Sequence, residues 1–554
     1  MSGLGDATAG VRARLAGARV PLLAAGVLLV LAGCLSPWAT FSGFPGLMTL
    51  AFYPAGVRAY CLALVVVVVA AYAIDRGRGA GGQFASGGIL AIALYTVLAI
   101  ANEGGGLVNV AYGGWLTVLG ALLLVAAFSG DTADDARPEV PDGPPFLGLL
   151  AIIVVLGATL AVVVHALEVE ASSQFLGLLA AITFGALALN RLGVLAWFQR
   201  ATERYRTITI SAALLAAVIF PFTQNGSDYW LRVGATVGVF AAAAIGLNIV
   251  VGLAGLLDLG YIAFFGVGAY VGASYSGSAG SNAHLHLPFL LVMVLGAVLA
   301  AVFGVLIGAP TLRLRGDYLA IVTLAFGEIF RIVANNLDGI AGPKLTNGPN
   351  GIPGIPNLKT GSLDFGDAHT VFGVKLGYFA NYFYAELALL VVVVIVFARL
   401  NNSRIGRAWV AIREDETAAA AMGVNTVRLK LLAFAIGAFL AGAAGTLNAH
   451  VTTQVSPESY NFDQSVLLLA AVVLGGMGTV GGAVLGATVL QVLPEKLRFF
   501  SEKRILFFGL ALILMMRFRP EGVIPNRRRQ RELHDETSGA DATSAPPGAP
   551  VAAT

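Results

Sequence analysis

An all-α fold, a polytopic transmembrane helical bundle, is the class that this sequence predicts, and three observations support it. The chain is 57% hydrophobic and only 12% charged, whereas soluble domains carry about 25% charged residues. Apolar runs such as Val57–Ile74 recur along the whole chain, and they approach the roughly 20 residues that cross a bilayer core as a helix. The runs are continuous rather than alternating, which argues against membrane β-strands. The 69 glycines fit this class, because small residues let membrane helices pack closely.

The apolar runs predict about 14–16 membrane segments, of which one is re-entrant. The predicted single spans cover residues 20–38, 57–74, 88–102, 105–128, 145–167, 176–199, 208–223, 230–254, 258–276, 288–310, 318–337, 382–400, 429–449 and 504–518. Lys and Arg cluster in short cytoplasmic loops of membrane proteins, and Arg12, Arg14 and Arg19 precede the first span. Counting crossings from a cytoplasmic N-terminus places the segment 401–428 inside, where it carries several more arginines.

The stretch 466–493 is the predicted re-entrant segment. If it crossed once, the RRRQR run at Arg527–Arg531 would lie outside, against the positive-inside rule. Its centre is GGMGTVGG (Gly475–Gly482), so each arm is about eleven residues long, too short to span a bilayer. We expect two half-helices that turn at the glycines, with 450–464 and 495–503 both outside and the C-terminus cytoplasmic. Irregular backbone within a membrane is tolerated only inside protein or beside a cavity, so Gly475, Gly476 and Gly478 are candidate pathway residues.

A second glycine-rich segment echoes the first. Val250–Ala269 repeats the pattern of two valines followed by glycines that is found in Val472–Ala487. Paired glycine-interrupted segments suggest a structural repeat around a transport path, although low-complexity helices also resemble one another by chance. Asn248 and Asp258, in and beside this segment, are therefore candidate pathway or structural residues.

Two further ionisable residues fall inside a predicted span. Glu328 and Arg331 are three residues apart in the span 318–337, so they share one helix face. Charged groups at that depth face the interior or a wet cavity. They form either a gate in a path or a structural ion pair that locks helices together, and we favour the structural pair.

The stretch REDETAAAAMG, residues 413–423, places four charged residues and four alanines between apolar runs. Acidic residues favour the N-terminal end of a helix, alanine is the best helix former, and glycine commonly ends helices. The pattern predicts a cytoplasmic helix of two to three turns that ends at Gly423. An ordinary solvated loop helix would show the same signals, but the run Ala418–Ala421 favours a helix that fills a groove on a partner.

Other chemistries find little support in the sequence. Gly476–Gly481 matches GxGxxG, but its apolar flanks do not fit a dinucleotide site, and no GxxxxGK[ST] motif occurs in the chain. Cys34 and Cys61 lie in separate apolar runs without metal-ligand spacing and are expected to be core residues. The net charge of +3 is too small to indicate nucleic acid. No nucleophile–base or metal constellation points to an enzyme, and no cofactor is expected.

The chain resembles the LivM-type permeases of branched-chain amino acid ABC importers over about residues 207–525. The segments that carry the resemblance are GLNIVVGLAGLLDLGYIAFFGVGAYVGA (Gly246–Ala273), LRLRGDYLAIVTLAFGEIFRIV (Leu312–Val333), NGPNGIPGIP (Asn347–Pro356), GRAWVAIREDETAAAAMGVN (Gly406–Asn425) and VSPESYNFDQSVLLLAAVVLGGMGTVGG (Val455–Gly482). The resemblance implies a lipid-embedded subunit in the plasma membrane of a prokaryote. Its implied partners are a LivH-type permease, two cytoplasmic ATPase subunits that use the ATP, and an extracytoplasmic substrate-binding protein.

The resemblance also implies that the charged, alanine-rich stretch is a coupling helix that seats in an ATPase groove. The residues at the motif positions and the acids that could pair with the ATPase are Glu414, Asp415, Glu416, Ala418, Ala419 and Gly423. In the wider importer pattern the glycine follows the glutamate by six residues, whereas Gly423 follows Glu416 by seven. Urea and short-amide permeases share much of this pattern, so they form the alternative reading, and an ion-coupled secondary transporter is a third.

The domain organisation follows from the extent of the resemblance. Residues 1–206 lie outside the shared core and hold about six predicted spans, for which scaffolding or assembly is the default role. Residues 207–525 form the permease core. Residues 526–554 are rich in Ala, Pro, Ser and Gly toward their end, which predicts a disordered cytoplasmic tail.

Overall fold

The computed structural model describes residues 18–39, 56–75, 80–104, 106–129, 144–169, 172–224, 228–282, 285–311, 317–340, 342–360, 363–371, 373–496, 506, 509, 510, 513, 517 and 522–524. The chain divides into two compact units, Met1–Phe220 and Pro221–Thr554. The division falls inside the helix Arg206–Thr223. The sequence predicts the domain boundary at the start of this helix, between residues 206 and 207. The predicted last span, 504–518, is described only at single residues, and the predicted tail, 526–554, lies outside the described residues.

The first unit is helical in its described residues. Its helices are α1 (Arg19–Leu35), α2 (Val57–Asp75), α3 (Ala80–Gly104), α4 (Tyr112–Phe128), α5 (Pro145–Glu168), α6 (Ser172–Arg191), α7 (Val194–Arg204) and α8 (Arg206–Thr223), with a 3-10 turn at Leu107–Asn109. Cys34 and Cys61 are free, buried and adjacent in the core of α1–α4 and α6, which confirms them as core residues. The span predicted at 176–199 is confirmed as far as Arg191. Its predicted end is corrected, because Gly193 adopts φ 73° and separates α6 from α7.

The second unit is built around ten described helices. They are α9 (Asp228–Asn248), α10 (Ile262–Tyr275), α11 (Phe289–Thr311), α12 (Asp317–Asn336), α13 (Tyr378–Asn401), α14 (Arg404–Glu414), α15 (Glu416–Ala421), α16 (Thr426–Thr452), α17 (Phe462–Gly475) and α18 (Val480–Lys496). A π-helical turn, Ile249–Leu253, continues α9, and 3-10 turns occupy Gly348–Asn350 and Pro457–Tyr460. Helix α16 is central and packs against α9, α10 and α11.

Small residues allow α16 to occupy that central position. One face carries, at intervals of four, Gly437, Ala441, Gly445 and Ala449. A Cβ on Gly445 would overlap the carbonyl oxygen of Phe265 in α10, and one on Gly437 would lie 2.7 Å from a methyl group of Val250. Both alanines are fully buried. The pattern of small residues therefore marks a close-packed helix seam, as small residues do in membrane bundles.

The glycine-rich stretch 466–493 forms a helical hairpin. Helices α17 and α18 have 14 and 17 residues, fewer than the roughly 20 needed to span a bilayer core. They pack so closely that a Cβ on Gly475 would overlap the carbonyl oxygen of Gly482, and one on Gly486 would overlap that of Ala471. The expectation of two half-helices turning at the glycines is confirmed, and the re-entrant path through a membrane stays a prediction.

The echoing segment Val250–Ala269 is interrupted as well. The π-helical turn after α9 is followed by non-helical residues 254–261 before α10 begins. Both glycine-rich segments thus contain a break in the backbone hydrogen-bond ladder. The two breaks are the features that position the candidate site.

Short antiparallel strands organise the segment between α12 and α13. They are β1 (Ile352–Pro353), β2 (Lys359–Thr360), β3 (Leu363–Asp364), β4 (His369–Val371) and β5 (Val374–Leu376), joined by β6 (Gln454–Val455) after α16. β2 pairs with β3 and β4 with β5, whereas β1 pairs with β6 through the register Ile352↔Val455. The turn predicted at 346–356 is present, with Gly351 at φ 66° packed on the carbonyl oxygen of Val455.

Ten helices of the described residues are long and apolar enough to cross a membrane. They cover Val57–Ile74, Gly81–Asn102, Pro145–Glu168, Gln174–Arg191, Arg206–Thr223, Asp228–Leu253, Phe289–Pro310, Tyr318–Asn336, Tyr378–Asn401 and Thr426–Thr452. The spans predicted at 20–38, 105–128 and 258–276 correspond to shorter apolar helices. The all-α, polytopic bundle is confirmed.

Single cysteines at Ser456 and Ser501, placed in a background where Cys34 and Cys61 are alanine, test the re-entrant hairpin. We expect both to react with a membrane-impermeant thiol reagent on intact cells, because a hairpin that enters and leaves on one side keeps both ends there. A cysteine at Glu414, which is exposed, is the control and should react only after permeabilisation. Reaction of only one of the two outer positions would show that the segment crosses the membrane.

The α16 seam gives a second prediction. Gly445→Val should lower the melting temperature and the yield of monodisperse detergent-solubilised protein, because the new side chain meets backbone that cannot move aside. Overpacking of this kind costs about 1–3 kcal/mol. Gly157→Val is the matched control in a helix position with open space around the Cβ, and it should leave both measurements unchanged. Equal stability of the two variants would mean that α16 is not packed as described.

Candidate functional site

The charged, alanine-rich stretch divides between two helices. Arg413 and Glu414 end α14, and Asp415 then takes an extended conformation (φ −151°, ψ 106°) that separates α14 from α15. The Asp415 carboxylate accepts hydrogen bonds from the backbone N–H groups of Thr417 and Ala418, at 2.8 and 2.9 Å. It is therefore the N-cap of α15. The predicted helix start within the acidic run is confirmed, and the structure adds that Asp415 separates this helix from α14.

Helix α15 ends at the predicted glycine. Gly423 adopts φ 83°, and its N–H donates to the carbonyl of Ala420, while the N–H of Val424 donates to the carbonyl of Ala419. These two bonds form a Schellman motif, which the absence of a Cβ makes inexpensive. With six residues, α15 is shorter than the expected two to three turns, because a turn takes about 3.6 residues.

The alanines of α15 face in different directions. Ala419 is only 5% exposed and packs against its own chain, and its role in the coupling loop stays a prediction. Ala418, Ala420 and Ala421 are exposed, and Met422 at the C-terminal end of α15 is 85% exposed. The exposed surface of α15 therefore consists of small alanine side chains and one larger apolar side chain, that of Met422.

The three acidic residues also have different partners. Asp415 is the N-cap described above, and Glu416 pairs with Lys430 at the start of α16, with Nζ and Oε2 2.6 Å apart. The Lys430 side chain is 10% exposed and that of Glu416 is 43% exposed. Glu414 is exposed. Asp415 and Glu416 thus also hold α15 in place, and contact of the three acids with a partner stays a prediction.

Asn248 joins the two helix breaks. It is fully buried at the end of α9. Its Oδ1 accepts the N–H of Gly478 at 2.7 Å, and its Nδ2 donates to the carbonyl of Thr479 at 2.9 Å. The sequence singles out Asn248 and Gly478 separately, and the structure brings them into direct contact. Both polar ends of one amide side chain are used to fix the turn between α17 and α18 against α9.

Asp258 lies in the non-helical segment after the π-helical turn. It is fully buried, its Oδ1 accepts the N–H of Gly260 at 2.9 Å, and its Oδ2 makes no hydrogen bond. Thr323 of α12 accepts the neighbouring N–H of Leu259 at 3.1 Å. Gly260 packs on the backbone of Thr323. Helix α12 therefore holds this break in place. The Asp258 Oδ2 atom stays buried without a hydrogen bond.

Glu328 and Arg331 form an ion pair that is less buried than the sequence suggests. Arg331 bridges Glu328 and Glu458, at 3.0 and 2.9 Å. The side chains are 29% (Arg331), 38% (Glu328) and 65% (Glu458) exposed. Glu458 belongs to the turn before α17, so the cluster lies beside that turn and not deep in the bundle.

Glu386 in α13 is a buried carboxyl that the sequence analysis does not single out. It is 1% exposed, and neither carboxyl oxygen makes a hydrogen bond, although the backbone of Val239 lies close by. The sequence could have identified Glu386, because it is a lone acid inside the predicted apolar span 382–400 and ionisable residues within membrane segments are rare. The buried acids do not cluster, and the described residues contain no group of three or more His, Cys, Asp or Glu that could hold a metal ion.

Comparisons with known proteins agree with this architecture. The family model for the branched-chain amino acid transport system permease component matches residues 229–516. The high-affinity branched-chain amino acid transport system permease protein LivM of Salmonella typhimurium is 41% identical over 336 residues, covering 58% of this chain and 76% of that protein. LivM of Escherichia coli is 40% identical over 334 residues, with the same coverage.

The permease protein LivH is more distantly similar. LivH of Salmonella typhimurium is 27% identical over 298 residues, covering 52% of this chain and 93% of LivH. No solved structure matches the chain. The matching relatives are permeases and ten described helices suit a bilayer, so the protein is a multi-pass membrane protein. The family model covers a little over half of the 554 residues, and the chain therefore belongs to the branched-chain amino acid transport system permease family.

Proposed function

We propose that this chain is one permease subunit of an ATP-driven importer. With a LivH-type permease it forms the translocation path for branched-chain or related amino acids across the plasma membrane of a prokaryote, with both termini in the cytoplasm. Two cytoplasmic ATPase subunits supply the work, and an extracytoplasmic binding protein delivers the substrate. Family membership and the 41% identity to a LivM protein support this proposal.

Helix α15 is the observation that carries the proposal. The chain has no GxxxxGK[ST] motif for ATP hydrolysis, so we infer that work enters it through a surface contact. α15 is capped at both ends by Asp415 and Gly423 and is tied to α16 by the Glu416–Lys430 pair. A short helix that is held at three points moves as a rigid body. The exposed side chains of Ala418 and Ala421 are small, so this surface of α15 suits close contact with an ATPase groove.

The alternatives differ in what drives transport and what is carried. The names of the relatives favour branched-chain amino acids over urea or short amides. An ion-coupled transporter would use buried carboxyls, for which Asp258 and Glu386 are the candidates. It would need an ion gradient and no ATPase, so the energy source separates the two classes.

Ala421→Trp and Ala418→Trp test the coupling helix in proteoliposomes that contain the complete importer. Uptake by the unchanged importer should require ATP on the side of the membrane where the ATPase subunits lie, and it should not require an ion gradient. Contacts at the centre of an interface are worth about 2 kcal/mol or more, so each variant should lower ATPase co-purification by more than about tenfold and uptake with it. Membrane levels of the subunit should stay normal, because both positions are exposed.

Two controls accompany these variants. Asn402→Trp, exposed in the same predicted cytoplasmic segment, should transport like the unchanged protein. Ala419→Trp should instead lower the amount of folded subunit, because Ala419 is buried. Wild-type uptake by both α15 variants, or uptake driven by a gradient without ATP, would contradict the proposed function.

Glu328→Gln tests the role of the ion pair. We expect near-normal amounts of assembled complex, because exposed pairs contribute only about 0.2–1 kcal/mol and Arg331 retains Glu458. Arg331→Gln should cost more, since it removes the shared partner of two carboxylates. The measurement is the yield of assembled complex after solubilisation. A large loss of assembly in Glu328→Gln would contradict this expectation and show that the pair locks helices together, as the sequence analysis favours.

A further inference from the structure

The π-helical turn at the end of α9 leaves a backbone carbonyl for a side chain to bind. In the turn Ile249–Leu253 the backbone continues with Ala254 N–H donating to Ile249 O and Leu256 N–H donating to Val250 O. The carbonyl oxygen of Gly252 instead accepts a hydrogen bond from Arg413 Nη1 at 2.8 Å. A cation at the C-terminal end of a helix is favoured by the helix dipole. Helix α14 thus binds the first break directly.

Glycine makes room for this arginine. Gly255, directly after the turn, adopts φ 71°. A Cβ there would overlap the methylene groups of Arg413. The Arg413 side chain therefore lies along the break as well as donating to it. Packing and hydrogen bonding fix the same contact.

The second break is joined to the first within a few residues. Asn248, one residue before the π-helical turn, makes both of its amide hydrogen bonds to Gly478 and Thr479. A Cβ on Gly252 would lie 2.6 Å from the backbone nitrogen of Gly478. The turn between α17 and α18 is therefore packed closely on the backbone of the π-helical turn.

Helix α14 is in turn fixed to α15 and α16. Trp409 of α14 is fully buried and donates its indole N–H to the carbonyl of Leu429 at 2.7 Å. Glu416 of α15 pairs with Lys430, the next residue along α16. The two short helices and the first turn of α16 are thus held together by contacts at adjacent residues, and Arg413 extends from this body toward the breaks.

We propose that Arg413 is the positioning residue that transmits movement of α15 to the two helix breaks, which move together through Asn248. This inference rests on the proposed function, in which an ATPase moves α15. A displacement of α15 carries α14 with it, Arg413 displaces the π-helical turn, and the Asn248 amide carries the motion to the turn at Gly478. Arg413 does not contact the transported molecule in this scheme.

The test is the ratio of molecules taken up to ATP hydrolysed, measured on the reconstituted importer with branched-chain amino acid as substrate. Arg413→Gln should keep ATPase co-purification and ATP hydrolysis at normal levels. The ratio should fall about tenfold, the factor that 1.4 kcal/mol of coupling represents. Arg413→Lys should recover part of the ratio, because an ammonium group still donates to the Gly252 carbonyl.

Arg407→Gln is the matched control. Arg407 lies on the same helix but is exposed, and its ratio should equal that of the unchanged importer. An unchanged ratio in Arg413→Gln would overturn the proposal. So would loss of assembly in both the Gln and Lys variants, because Arg413 would then have a structural role only. Failure of the unchanged importer to use ATP would instead refute the proposed function, so the two failures are distinguishable.

Discussion

The buried amide of Asn248 is the interaction on which the second compact unit of this protein depends. A helix that breaks inside an apolar bundle exposes N–H and C=O groups that lipid cannot satisfy, and a buried group without a partner costs about 1–3 kcal/mol. Asn248 supplies a donor and an acceptor to the turn between α17 and α18. Tyr261 adds a hydrogen bond from its hydroxyl to the carbonyl of Gly437, at 2.7 Å. Side chains of the first interrupted segment thus satisfy backbone groups of the second and of α16, which allows irregular backbone to persist in the interior.

The features that could be predicted from the sequence are those governed by local composition. Apolar runs identified most spans, because the cost of exposing backbone in lipid fixes their length and form. Glycine clusters identified the α17–α18 turn, because only a residue without a Cβ permits the contact of Gly475 with Gly482. The helix end at Gly423 was also predictable, since its φ of 83° favours glycine. The family resemblance was confirmed for the same reason, as its motifs are contiguous stretches.

The features that escaped prediction depend on contacts between residues far apart in the chain. Asn248 and Gly478 are separated by 230 positions, and Arg413 and Gly252 by 161. Nothing local shows that Lys430 would bind Glu416 or that Ala419 would face inward, because the rotation of a six-residue helix is set by what it packs on. Glu386 is a partial exception. The sequence shows that it lies in an apolar span, but not that its carboxyl group is without a hydrogen bond.

The two compact units have separate hydrophobic cores, one built from residues between Val30 and Ala188 and the other from residues between Ala235 and Leu490. Chains are synthesised from the N-terminus, and units with their own cores generally fold in that order. The first unit can therefore complete its packing while the permease core is still on the ribosome. In such an order α9, with its buried Asn248, is synthesised well before the turn that it binds. Because 230 positions separate Asn248 from Gly478, the amide stays without these partners until the residues that form α17 and the turn after it have been added.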